Sequence, residues 1–266
     1  GILRRAYDAA VVNPVPLRAS RADFLATAPV VIAQGRTVRK TTIGLPPASG
    51  PATIVAGDVS SRTLRLLVLG DSTVAGIGVD THAEGLTGAL ARALAATVDR
   101  TVSATAIGRG GATAADLITE FLDSAADAGP WDAVFLSIGA NDAMTARSRT
   151  AFTRDLGVIL DRLAVGSPDA VVMLSSLPAF RLFELLPQPL RWNLDLHARS
   201  LEAAGRAFAA RRAHAWMTPP VPGYTPDFFA ADRFHPGIVG YAAWGEWAIE
   251  QADAAGVLEP LRAPSA

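Results

Sequence analysis

Cysteine is absent from all 266 residues, which removes disulfides, thiolate nucleophiles and zinc–thiolate centres together. The compartment stays open, because an exported protein need not carry disulfides. Export or envelope association would follow if a segment upstream of Gly1 were removed. Lysine is nearly absent as well: Lys40, in "RTVRK", is the only one, so Schiff-base or lysine-base chemistry has a single candidate, far from any pocket signal. No HExxH or histidine-rich tract occurs, and no structural metal is expected. Charge of one sign is lacking too. With 24 basic against 25 acidic residues and a net charge of -1, no long like-charge run gives the footprint of a nucleic acid or an anionic membrane. A small or neutral molecule is the expected partner, not a nucleic acid. Long apolar runs are missing: "FLATAPVVIA" (residues 24–33) falls well short of the roughly 20 residues that span a bilayer, so no integral membrane span is expected. That stretch reads as a strand or helix packed over the domain, with the end of an export segment as the alternative.

What is present suits a sizeable core, since half of the residues are hydrophobic and the length fits one large domain with an extension. Residues 44–63, "GLPPASGPATIVAGDVSSRT", are rich in Pro, Gly, Ser and Thr and read as an irregular connection. The expected division is therefore an N-terminal extension with linker over residues 1–60 and a main domain over 61–260. Within the latter, strands and helices alternate. "LRLLVL", "TVSATAI", "DAVFLSIG" and "AVVMLSSLP" read as strands, with "HAWMT" a short fifth. Between them, leucine spacing of four in "THAEGLTGALARALAATV" and apolar stripes in "AADLITEFLDSAADA" and "AFTRDLGVILDRLA" predict helices. A long helix carries Leu190, Leu194, Leu201 and Phe208, and "GIVGYAAWGEWAIEQADAA" closes the chain as another. Such alternation requires crossovers, hence parallel pairing, and near-continuous apolar strands fit a sheet covered on both faces. The fold class is α/β, a three-layer α/β/α sandwich. Ligands of such sheets bind outside the carboxyl ends of the strands.

Three of those ends carry unusual residues. The first strand ends in "GDST" (70–73), the second in "GRGGAT" (108–113), the third in "GAND" (139–142), and a fourth cluster, "ADRFHP" (231–236), precedes the last helix. Each serves equally as a cap or turn when taken alone, because Ser, Thr, Asp and Asn satisfy free N–H groups at helix starts. Their convergence on one sheet edge favours chemistry. Serine is a weak nucleophile until a base accepts its proton. His235 supplies that base for Ser72, and Asp232, three residues earlier, can hold the other ring nitrogen. The other histidines have plainer explanations: His197 lies on an apolar helix face, His82 near a helix start, and His214 at the head of a short strand. Negative charge developing on a substrate oxygen would meet the Ser72 N–H, the Gly111 N–H and the Asn141 side-chain amide.

This set resembles the SGNH/GDSL-type serine hydrolase family over about residues 64–250. "GDST" with Ser72 is similar to its nucleophile block, "GGAT" with Gly111 to its second, "GAND" with Asn141 to its third, and "DRFHP" with Asp232 and His235 to its last. The resemblance implies a flavodoxin-like parallel sheet, ester hydrolysis through a Ser-His-Asp triad, a small-molecule ester as substrate and no cofactor. Two departures stand out. Thr73 occupies the place of the leucine in the family's name, and no Asn precedes the second-block glycine.

Other readings remain open at this level. "GRGGAT" after a strand suggests a phosphate cradle, but Thr113 stands where the last glycine of GxGxxG would be, and "GDSTVAG" lacks the P-loop lysine. A non-catalytic lipid- or carbohydrate-binding protein on a similar fold is the other alternative. Finally, "LPAFRLFELLPQPLRW" clusters Phe180, Leu182, Phe183, Leu185, Leu186 and Trp192 too closely for one helical face. It reads either as a loop over the core or as an acyl pocket walled by Phe180 and Phe183.

Overall fold

The computed structural model describes residues 19–58 and 62–262. Residues 1–18 of the expected extension lie outside the described residues. The chain opens with two helices, α1 (Ser20–Ala26) and α2 (Ala28–Thr41), then runs β1 (Thr53–Ala56), β2 (Leu64–Gly70), α3 (Leu86–Val98) and β3 (Val102–Gly108). There follow α4 (Ala114–Glu120), α5 (Leu122–Asp127), β4 (Ala133–Ser137), α6 (Ala140–Met144), α7 (Arg149–Gly166) and β5 (Val171–Leu174). The last elements are α8 (Leu190–Ala209), β6 (Ala215–Met217) and α9 (Ile238–Ala254).

Six strands form one sheet in the order β1-β3-β2-β4-β5-β6. From β3 to β6 every pairing is parallel, and the five strands follow the doubly wound 2-1-3-4-5 order of flavodoxin-like sheets. An antiparallel edge is added by β1, whose Thr53 faces Thr105 and Ala56 faces Val102. This strand comes from the stretch expected to be irregular: its "TIVA" is a four-residue run of β-favouring side chains, too short to stand out among prolines and glycines.

Side chains of β2 alternate between two cores. Leu64, Leu66 and Val68 pack with α3 and α9 on one face. Leu67 and Leu69 pack with α4, α7 and α8 on the other. The result is the expected three-layer sandwich, with the central strands β2 and β4 buried on both faces. Helix boundaries differ from expectation in two places. After β2, residues 71–80 wind through turns with Gly76 and Gly78 at positive φ, so α3 starts only at Leu86. The second expected helix breaks at Phe121, where φ is -130, giving α4 and α5. The stretch 24–33 is helical, split between α1 and α2. Phe24 and Val31 are buried while Leu25, Val30 and Ile32 are exposed.

Both N-terminal helices are tied to the domain by polar clamps. Ser20 Oγ bonds His197 Nδ1 at 3.1 Å in a buried pair, and Arg21 Nε donates to Ala146 O at 2.9 Å. Gln34 donates to Gln188 O at 2.7 Å and accepts from Leu190 N at 3.1 Å. His197 is thus a packed histidine, fully buried, whose second nitrogen lies 2.9 Å from Arg147 O. Burial pushes its pKa down.

Candidate active site

Register brings the strand ends together. Gly70 pairs with Gly108 on one side and Ser137 on the other, so "GDST", "GRGGAT" and "GAND" leave the sheet side by side. The strand order reverses between β2 and β4, and at that crevice open α/β sheets bind their ligands.

Ser72 is half-buried in the first turn after β2. His235 Nε2 lies 3.0 Å from Ser72 Oγ, and His235 Nδ1 lies 2.6 Å from Asp232 Oδ2. Since an ionised carboxylate only accepts, Nδ1 carries the proton and Nε2 is left to accept from the serine hydroxyl. The other oxygen of Asp232 accepts from the backbone N–H groups of Phe234 at 2.9 Å and His235 at 3.0 Å. The carboxylate therefore fixes both the loop and the ring. Burial pushes the Asp232 pKa up, but the bond from His235 and the two N–H bonds outweigh it and hold the carboxyl below its usual value. The loop is braced from beneath at Gly78, where a Cβ would fall 2.2 Å from Pro236 O; any side chain there would push the histidine loop off the nucleophile turn.

The residues carrying the three expected donors line one cleft. Ser72, Gly110, Gly111 and Asn141 all line the same cleft, and the N–H groups of Ser72 and Gly111 have no protein acceptor among the described residues. Gly111 has φ +79, with nothing within 4 Å of where a Cβ would stand. Its glycine thus serves left-handed backbone and leaves the cleft open in front of the N–H. Asn141 donates one amide hydrogen to Ala112 O at 2.9 Å, which turns the amide towards the glycine loop and leaves a second N–H on the same nitrogen. Next to it, Asp142 is fully buried and accepts from Ala114 N at 3.0 Å.

Several contributors escaped the sequence reading. Asp71 accepts from the N–H and O–H of Thr73 at 3.1 and 3.0 Å, and Thr73 Oγ1 lies 2.8 Å from Ser137 Oγ. This network braces the nucleophile turn from behind, and it requires a hydroxyl where the family's name has leucine. Burial pushes the Asp71 carboxyl up, against the opposing hydrogen bonds from Thr73. Tyr241 donates its hydroxyl to Ile77 O at 2.7 Å. Asp71 and Thr73 fall within "GDST", but no motif marks Ser137 or Tyr241, whose contacts are made only in the fold.

Two cavities meet at Ser72 and His235. The larger is a cleft of about 510 Å³, and α2 forms one wall through Val31, Gly35, Arg36, Val38 and Arg39, continued by Thr42 just past its end. The smaller, about 70 Å³, is walled by Phe180, Phe183, Tyr224, Phe228, Phe229 and Phe234. Phe180 and Phe183 are both buried, with ring centroids 5.2 Å apart, so they are at once core and cavity wall. Leu182 and Trp192 of the same segment are exposed, whereas Leu186 lines the larger cleft. Among the described residues, no group of three His, Asp or Glu side chains is placed to hold a metal ion, and no helix is long and apolar enough to cross a membrane.

Residues 68–243 match the family model of the GDSL-like lipase/acylhydrolase family. The chain belongs to that family. As a GDSL-like family member it is 30% identical over 189 residues to the GDSL-like esterase Rv1075c of Mycobacterium tuberculosis, a match covering 67% of this chain and 58% of that protein. The fold of this GDSL-like chain recurs in the lipase Lip_vut3 from a goat rumen metagenome, with TM-score 0.55 and 15% identity over 73% of this chain and 98% of that one. It recurs also in the esterase EstA of Pseudoalteromonas sp., seen inhibited by monoethylphosphonate, with TM-score 0.53 and 14% identity over 71% and 97% of the two chains.

Proposed function

We propose that the protein hydrolyses carboxylic esters through an acyl-enzyme on Ser72. The observation that carries this reading is the continuous hydrogen-bond chain from Ser72 Oγ through His235 to Asp232, at 3.0 and 2.6 Å. His235 Nε2 takes the hydroxyl proton as Oγ attacks the carbonyl carbon, and Asp232 stabilises the imidazolium that forms. The carbonyl oxygen, now an oxyanion, receives hydrogen bonds from the N–H groups of Ser72 and Gly111 and from the Asn141 amide. Preorganised donors of this kind lower the barrier because they are aimed at charge that develops only in the transition state. His235 then gives its proton to the departing alkoxide. In the second half, water attacks the acyl carbon as His235 takes its proton, and the return of that proton to Oγ releases the acid and restores the serine.

Family membership supports the reaction class. Phe180 and Phe183 take the acyl group in the smaller cavity. Since an apolar cavity of about 150 Å³ accommodates benzene, a space of 70 Å³ suits an acyl group of a few carbons. The other limb of the ester then lies in the larger cleft. Hydrolysis of p-nitrophenyl acetate and butyrate tests the reading: turnover is expected from the native chain and its loss, to within a small residue, in both Ser72→Ala and His235→Ala. Turnover surviving in both folded variants would refute it.

A further inference from the structure

The larger cleft carries information that the triad does not. Its lining is apolar on the domain side, with Ile77, Met144, Leu186, Leu190, Leu194 and Phe234, and on the α2 side with Val31 and Val38. Among the described residues, the charged side chains of the lining are Arg36 and Arg39, and no carboxylate lines it. The two arginines stand three residues apart on α2 and so on one face of the helix. Both are exposed at the cleft's rim, and among the described residues neither enters an ion pair or a side-chain hydrogen bond, although many other arginines of the chain do. A greasy channel leading from a reactive serine to two unpartnered guanidinium groups has the polarity of a single-chain anionic amphiphile.

We propose that the larger cleft binds the long limb of the substrate as an alkyl chain ending in an anionic group, a phosphate or a carboxylate, held by Arg36 and Arg39. This rests on the reading of Ser72 as the reacting atom, and it makes α2 a specificity element and not merely an extension. The volume of about 510 Å³ is more than three times that of a cavity that holds benzene, so a chain of some eight carbons fits. Guanidinium groups suit the other end, because their planar fork pairs with both oxygens of a phosphate or carboxylate. The clamps at Ser20, Arg21 and Gln34 hold α1 and α2 against the domain before any ligand arrives. The cleft is therefore preformed, and little ordering cost offsets the contacts.

Isothermal titration calorimetry on the full chain tests this with four probes of one chain length, each below its critical micelle concentration: octyl phosphate, nonanoate, octyl glucoside and octyltrimethylammonium. At least one anionic probe is expected to bind ten-fold or more tighter than the neutral and cationic ones, and the stronger of the two anions identifies the head group. In Arg36→Gln/Arg39→Gln, verified as folded by its melting temperature, that advantage is expected to disappear; in Lys40→Gln, whose side chain is outside the cleft, it is expected to persist. Equal affinities, no measurable binding, or an advantage that survives the double substitution would overturn the proposal. Since calorimetry needs no turnover, these outcomes are independent of whether Ser72 is the nucleophile.

Discussion

Replacing Asp142 by asparagine should stabilise the folded chain at neutral and alkaline pH and lose that benefit in acid. Asp142 sits at the start of α6 with a fully buried side chain. One oxygen accepts from Ala114 N at 3.0 Å, but the other has no hydrogen-bond partner among the described residues. The nearest cation, Arg147, stands 3.7 Å away and is engaged by Asp155. Burial pushes the Asp142 pKa up to about 6, against the opposing pull of the Ala114 N–H and the Arg147 charge. Between the ordinary value of 3.8 and this raised one, the folded state holds a proton that the unfolded chain has released. Stability contributed by this group therefore falls as pH rises through that window, and the full cost is present above it. Two pKa units correspond to about 3 kcal/mol. Asparagine keeps an acceptor for Ala114 N and removes the charge, but buries a poorly satisfied amide N–H at a cost of about 1–3 kcal/mol. A net gain of up to about 2 kcal/mol at pH 8 follows, or at most several degrees in melting temperature for a chain of this size at about 2–4 °C per kcal/mol. Thermal unfolding of both proteins at pH 8 and pH 4 measures it. A variant less stable than the native chain by the same margin at both values would refute the reasoning, because it would mean that Arg147 fully compensates the carboxylate.

Asn141→Ala should lower kcat for p-nitrophenyl butyrate by about 10²–10³ with little change in KM, since its amide acts on the oxyanion; steady-state kinetics that show a raised KM and an unchanged kcat would make it a substrate-binding residue. For the acyl side, kcat/KM across p-nitrophenyl esters should peak at short chains and fall by hexanoate, because Phe180 and Phe183 close a 70 Å³ space, and Phe183→Leu should move the peak to longer chains. A peak at octanoate in the native chain, unmoved by that substitution, would assign the acyl group to the larger cleft instead.

Much of this arrangement is legible in the sequence, for physical reasons that differ by element. The parallel strands are buried on both faces, so they appear as unbroken apolar runs, and their order along the chain fixed which ends would meet. Ser72, Gly111, Asn141, Asp232 and His235 fall at those ends or just before the last helix, where polar residues interrupt apolar ones. His197 could be set aside because its helix face is apolar, and it is buried. Less was legible where contacts, and not local pattern, decide. The role of α2 as a cleft wall depends on Gln34 reaching Gln188 and Leu190, more than 150 residues away. Thr73 departs from the family pattern, and its hydroxyl is explained only by Asp71 and Ser137 on either side of it in the fold. The strand β1 was hidden by the prolines and glycines around it, and Phe180 and Phe183 were ambiguous because they serve both as core and as cavity wall.

The central claim is that Ser72 is a nucleophile activated by His235, and covalent labelling tests it without any assumption about the natural substrate. After treatment with a fluorophosphonate, the intact mass should rise by a single adduct, peptide mapping should locate it on Ser72, and Ser72→Ala should take up none. Absence of an adduct on the native chain, or labelling that persists in folded Ser72→Ala, would contradict the account.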